Sequence, residues 1–181
     1  STDGADGPRP TTTATTTPTT TTAPVTTAPP ATSAPTTVAA PTVEDAVRAQ
    51  YFAFWRAFDS YGRGTGPFDP VEFKATFGPV AGGGEYTHLF DYFQNLRLRG
   101  LAFRGGGTPE EELAPKITME SPAEATITDC SSSSGETYDV KTGAVVEPAG
   151  TGPARLVVVM RLIDGTWKVT SVGGGDEPCT R

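Results

Sequence analysis

The chain has 181 residues, a formal net charge of −7 and two cysteines, a length that favours one domain over two. Both Trp, all Tyr and Phe, 13 of the 14 Lys and Arg, and 19 of the 21 Asp and Glu fall after residue 42. That acidic part lacks the counterion-releasing surface that nucleic acid needs and is not drawn to anionic lipid. No run of 18 apolar residues is present, so no transmembrane segment is expected.

Residues 1–41 read as a disordered stalk. Positions 10–41 hold 15 Thr, 7 Pro and 7 Ala, with no charge and no aromatic. Such a segment buries too little apolar surface to offset the entropy of ordering it. It fits an O-glycosylated spacer and an unmodified linker equally. The chain starts without Met or an apolar leader, so a mature form is expected, and a lipid anchor just upstream is the hypothesis that suits the stalk.

Residues 42–181 are then one folded domain. Thr42 can cap a first helix whose apolar stripe is Val43, Val47, Tyr51, Phe54, Phe58 and Tyr61, ending in the Gly-rich run after Tyr61. Asp69 and Pro70 open a short second helix that ends at Phe77. A third is expected over residues 85–99, with Leu89, Phe93 and Leu96 inward and Arg97 and Arg99 near its negative end.

From Gly100 the period becomes two. Strands are expected at Leu101 and Phe103, at Ile117 and Met119, over residues 123–130, at Tyr138 and Val140, and at Val145 and Val146. The clearest strand puts Leu156, Val158, Met160 and Leu162 on one face, and the Asp164-Gly165 turn returns it through Trp167 and Val169. Helices followed by antiparallel strands read as α+β: three N-terminal helices on a curved, cone-shaped antiparallel sheet.

Cys130 and Cys179 are too few for a structural zinc site and form no CxxC. One disulfide is the simplest reading beside an export-type stalk, and two unrelated thiols are the alternative. A bridge would close a loop of about 50 residues and contribute about 4 kcal/mol on the chain-entropy model. An extracellular or cell-envelope location follows from it.

Tyr51, Trp55 and Asp59 recur at four-residue steps on the first helix, with Tyr61 beyond. They could set a carboxylate and a phenol at the mouth of an apolar ligand cleft; the plain alternative is core aromatics with a solvated Asp59. His88, the sole histidine, is expected to be exposed and non-catalytic. Glu110, Glu111 and Glu112 read as a solvated run, since calcium loops space their ligands. Gly62, Gly64 and Gly66 follow a helix rather than a strand, so they form no dinucleotide fingerprint. Ser131 to Ser134 sit in no nucleophile elbow. No metal or cofactor is expected.

The order of these features resembles the nuclear-transport-factor-two-like superfamily, whose cone fold includes ketosteroid isomerases and SnoaL-like cyclases. Ala123-x-Ala125-x-Ile127-x-Asp129-Cys130, the turn from Tyr138 to Gly143, Gly165-x-Trp167-Lys168-Val169 and Cys179 resemble secreted or lipid-anchored actinobacterial members. The resemblance implies a cleft between helices and sheet for a hydrophobic ligand, and a homodimer through the sheet is compatible with it. The isomerases carry their general base on a strand between the second and third helices. Residues 78–84 leave no room for a strand hairpin there. The expectation is a non-catalytic envelope module binding a small hydrophobic ligand or an envelope protein, with a small ketosteroid-isomerase-type or SnoaL-type enzyme as the alternative.

Overall fold

A computed structural model describes residues 40–105, 113–132, 135–150 and 153–179. The stalk up to residue 39, the Glu110 to Glu112 run, and Ser133 and Ser134 lie outside the described residues.

Helix α1 spans Val43–Arg63 and opens on a reciprocal cap. The Thr42 hydroxyl accepts from Asp45 N at 3.1 Å, and the Asp45 carboxylate accepts from Thr42 N at 2.8 Å, which satisfies two donors that the first turn leaves free. The helix runs two residues beyond Tyr61 because Gly62 lets the Phe103 ring lie against its backbone; a Cβ there would overlap that ring. Its end is held by Arg97, whose Nη2 donates to the Tyr61 carbonyl, while Gly64 N donates to the same oxygen at 3.2 Å. Helix α2, Pro70–Phe77, is capped by Asp69, whose Oδ1 accepts from Val71 N at 2.7 Å and Glu72 N at 3.3 Å. Helix α3, Gly83–Leu98, starts two residues before the expected Glu85, with Gly83 at φ 56°, a conformation open to glycine.

The strands are β1 Leu101–Arg104, β2 Lys116–Ser121, β3 Glu124–Ser132, β4 Glu136–Asp139, β5 Val145–Glu147, β6 Pro153–Ile163 and β7 Thr166–Pro178. All their pairings are antiparallel, but they form two hydrogen-bonded sheets where one curved sheet was expected. The order is β2-β3-β6-β7 in one and β1-β4-β5 in the other. The split arises because β1 pairs with β4 instead of its chain neighbour β2. Asp164 and Gly165 both take positive φ, 50° and 75°, as a two-residue hairpin requires.

Alternation puts Ala125 and Ile127 of β3, Val158 and Met160 of β6, and Trp167 and Val169 of β7 into one core with Tyr51, Phe54, Phe77 and Phe93 of the helices. Leu162 departs from the expected inward row. It is 41% exposed, next to the last residue of β6 before the Asp164-Gly165 turn. Thr170 is an extra residue in β7, since Val159 pairs with Ser171 and Met160 with Val169, and such a bulge bends the strand.

The connection between α2 and α3 holds no hairpin. Ala81 makes one parallel bridge to Val169, with Gly82 N donating to the Val169 carbonyl at 2.9 Å. Lys168 Nζ donates to the Gly78 carbonyl at 2.8 Å, placing a cation at the negative end of α2. The disulfide between Cys130 and Cys179 is present, with Cα atoms 6.0 Å apart. It reaches past the first residues of β6, since Cys130 pairs with Arg155 and Cys179 N donates to the Pro153 carbonyl. Among the described residues no helix is long and apolar enough to cross a membrane, and no group of three His, Cys, Asp or Glu could hold a metal ion.

Candidate functional site: an aromatic wall on the first helix

Successive residues of an α-helix advance about 100° around its axis. Taking Tyr51 as the origin, Phe58 falls about 20° to one side and Trp55 about 40° to the other, so these three share a face. Asp59 and Tyr61 each fall about 80° away on opposite sides. The structure follows that arithmetic. Tyr51 and Trp55 come together, with ring centroids 6.2 Å apart. Asp59 turns to the surface and faces Arg63 at 3.9 Å. Tyr61 packs against Phe73, Phe77 and Phe93, and the Arg97 guanidinium lies 5.6 Å from its ring.

Tyr51 is completely buried, and its hydroxyl donates to Asp129 Oδ2 at 2.6 Å. Asp129 is the next inward residue of β3 after Ala125 and Ile127 and is 5% exposed. Its Oδ1 accepts from the Cys130 N–H at 2.7 Å. Burial, then the hydrogen bond to Asp129 and that carboxylate's charge, drive the Tyr51 pKa far above the usual phenol value; the neighbouring Trp55 N–H opposes the rise. That indole Nε1 is itself buried and makes no hydrogen bond of proper geometry among the described residues. Phenol, indole and carboxylate thus form a polar floor inside an apolar core.

From this floor the wall continues outward. Trp55 meets Phe58 at 5.8 Å, Phe58 stacks on Phe103 of β1 at 5.6 Å and on Tyr92 of α3 at 6.2 Å, and Tyr92 contacts Phe103 at 6.2 Å. These four side chains are only partly buried. Register then brings a second carboxylate to the same side. Phe103 pairs with Thr137, and Thr137 with Glu147, while the Thr137 hydroxyl donates to Glu147 Oε2 at 3.2 Å. Burial, and then the charge of Glu147, raise the Tyr92 pKa.

Asp129, Tyr92 and Glu147 were not singled out from the sequence. The signal for Asp129 was available: its parity in β3 matches that of Ala125 and Ile127. No local pattern could pair Tyr92 with Glu147, which are brought together by the β1-β4-β5 order. His88 is 72% exposed and lies 3.8 Å from Glu85, whose carboxylate accepts from Val172 N at 3.1 Å; it stands apart from the wall.

A long first helix, two shorter ones and antiparallel strands make an α+β architecture. No protein-family model matches the chain. No curated protein matches it. Among solved structures it is similar to the intermembrane space region of the chloroplast protein ARC6, at 13% identity and a TM-score of 0.49, covering 70% of this chain and 92% of that one. It is also similar to a ketosteroid isomerase-like protein from Erwinia carotovora atroseptica, at 14% identity and 0.42, covering 70% and 90%. A third is described as a putative aromatic ring hydroxylase from Novosphingobium aromaticivorans, at 15% and 0.43, covering 75% and 96%. At these identities and scores the likeness transfers no ligand, activity or partner.

Proposed function

We propose that the domain from residue 42 to 181 is a non-catalytic binding module of the cell envelope. It takes a small hydrophobic ligand against the wall formed by Trp55, Phe58, Tyr92 and Phe103, with Tyr51 and Asp129 beneath. The observation that carries this reading is the continuity of the wall: four aromatic rings linked in one series of contacts stay partly uncovered beside the fully buried rings of Tyr51, Phe54 and Phe93. A large apolar surface with a few converging polar groups is what a small-molecule site requires. Tyr51 and Asp129 already satisfy each other, which favours holding a ligand over transferring its protons. The alternative, a small enzyme, would use that same buried phenol and carboxylate as its acid and base.

Location belongs to the proposal. The Cys130–Cys179 disulfide suits an oxidising compartment, and the Thr/Pro-rich segment before residue 42 would hold the domain away from a surface.

The test is titration with N-phenyl-1-naphthylamine, a neutral apolar fluorophore, on wild type and on Phe58→Ala. Saturable fluorescence enhancement that weakens at least about tenfold in the variant, matching the loss of a buried aromatic contact worth over 1.4 kcal/mol, is expected. No saturable binding, or binding indifferent to Phe58, would overturn the reading.

A further inference from the structure

The wall is flanked by negative charge that no cation matches among the described residues. Asp129 closes its inner end and Glu147 its outer end. Among the described residues neither carboxylate pairs with a lysine or arginine. Two arginines on elements that bear the wall, Arg97 of α3 and Arg104 of β1, are committed elsewhere. Arg97 donates to the carbonyls of Tyr61 and Leu101. Arg104 pairs with Glu136 and lies 5.0 Å from the ring of Tyr138, which is on the opposite face of β4 from Thr137. Glu147 spends one oxygen on the Thr137 hydroxyl. Between the two acids stand Trp55, Phe58, Tyr92 and Phe103, whose ring faces carry the negative end of a quadrupole and attract cations.

Resting on the binding role proposed above, we infer that the ligand is an organic cation: an apolar body bearing an amine or quaternary ammonium, whose charge sits against the aromatic wall on the Glu147 side. Neutral apolar molecules gain only the burial of their chain. Anionic amphiphiles meet the exposed Glu147 carboxylate, which pairs with no lysine or arginine among the described residues, and that opposes binding. The acidic domain as a whole, at −6 after residue 42, favours the approach of a cation.

The experiment compares three ligands of one chain length, decyltrimethylammonium, decanol and decanoate, by isothermal titration calorimetry below their aggregation concentrations. It uses the whole protein, Glu147→Gln, and Glu120→Gln as a control for net charge. The expected result is ammonium binding about tenfold tighter than the alcohol, with decanoate weakest. Glu147→Gln should bring ammonium to within about twofold of the alcohol, the alcohol's own affinity being unchanged. The exposed Glu120 on β2 should have no such effect. Alcohol binding as tightly as ammonium overturns the inference and leaves the hydrophobic site standing. An ammonium preference that survives Glu147→Gln, or falls equally in Glu120→Gln, also overturns it. Failure of all three ligands to bind removes the binding role itself.

Discussion

Tyr51→Phe is the perturbation that reads the polar floor most cleanly. The substitution keeps the ring that packs between Phe52 and Trp55 and deletes only the hydroxyl. Asp129 then loses its partner at 2.6 Å while staying buried. Leaving a buried acceptor unpaired costs about 1–3 kcal/mol, toward the upper part of that range for a carboxylate. About 2 kcal/mol in a domain of this size lowers the midpoint of thermal unfolding by roughly 6 °C.

A second signature follows from titration. The folded Tyr51 pKa is raised above its unfolded value of 10.0 by burial and by Asp129. The folded state therefore keeps a proton that the unfolded chain releases above that pH. This contribution is fully present below pH 10 and is lost as pH rises, at about 1.4 kcal/mol per pH unit. Tyr61 and Tyr92 are raised too, so the informative quantity is the difference between wild type and Tyr51→Phe. The assay is urea unfolding followed by circular dichroism at pH 7, 10 and 11. The variant's deficit should shrink between pH 10 and 11. A deficit below about 0.5 kcal/mol at pH 7, less than an average hydrogen bond, or one that does not change with pH, refutes the account of this pair.

Two further predictions concern the scaffold. Replacing both cysteines with alanine, which opens a cross-link between residues 49 apart, should cost about 4 kcal/mol in urea unfolding; an unchanged midpoint would mean that the bridge constrains nothing. Gly62→Ala should cost about 1–3 kcal/mol, because its Cβ would overlap the Phe103 ring. Gly66→Ala, where a Cβ would meet nothing within 4 Å, should be nearly neutral, and equal effects would show that the close packing of α1 on β1 is not the cause.

Much of the architecture is legible because its causes are local. The reciprocal cap at Thr42, the Asp69-Pro70 helix start and the Asp164-Gly165 hairpin each announce themselves within four residues. The helix ends are less so. Gly62 reads as a stop, yet α1 passes through it, because its missing side chain serves Phe103 forty-one positions later. The division into two sheets is set by pairing between β1 and β4, which no window of sequence reveals.

For the site, the four-residue spacing of Tyr51, Trp55 and Asp59 drifts by about 40° at each step, enough to carry Asp59 off the face that Tyr51 begins. The carboxylate that does join Tyr51 is Asp129, 78 residues away. A period-two reading of β3 carried two residues past Ile127 would have found it, because an acid at an inward position must be buried with a partner.

The most direct measurement of the central claim uses the two indole N–H groups of the protein as reporters. In a proton–nitrogen correlation spectrum, titration with N-phenyl-1-naphthylamine should move the Trp55 indole signal progressively and saturably. The Trp167 signal, in the core beside Val169, should stay in place. Movement of Trp167 with Trp55 unchanged, or of neither, would contradict a ligand site on the aromatic wall of α1.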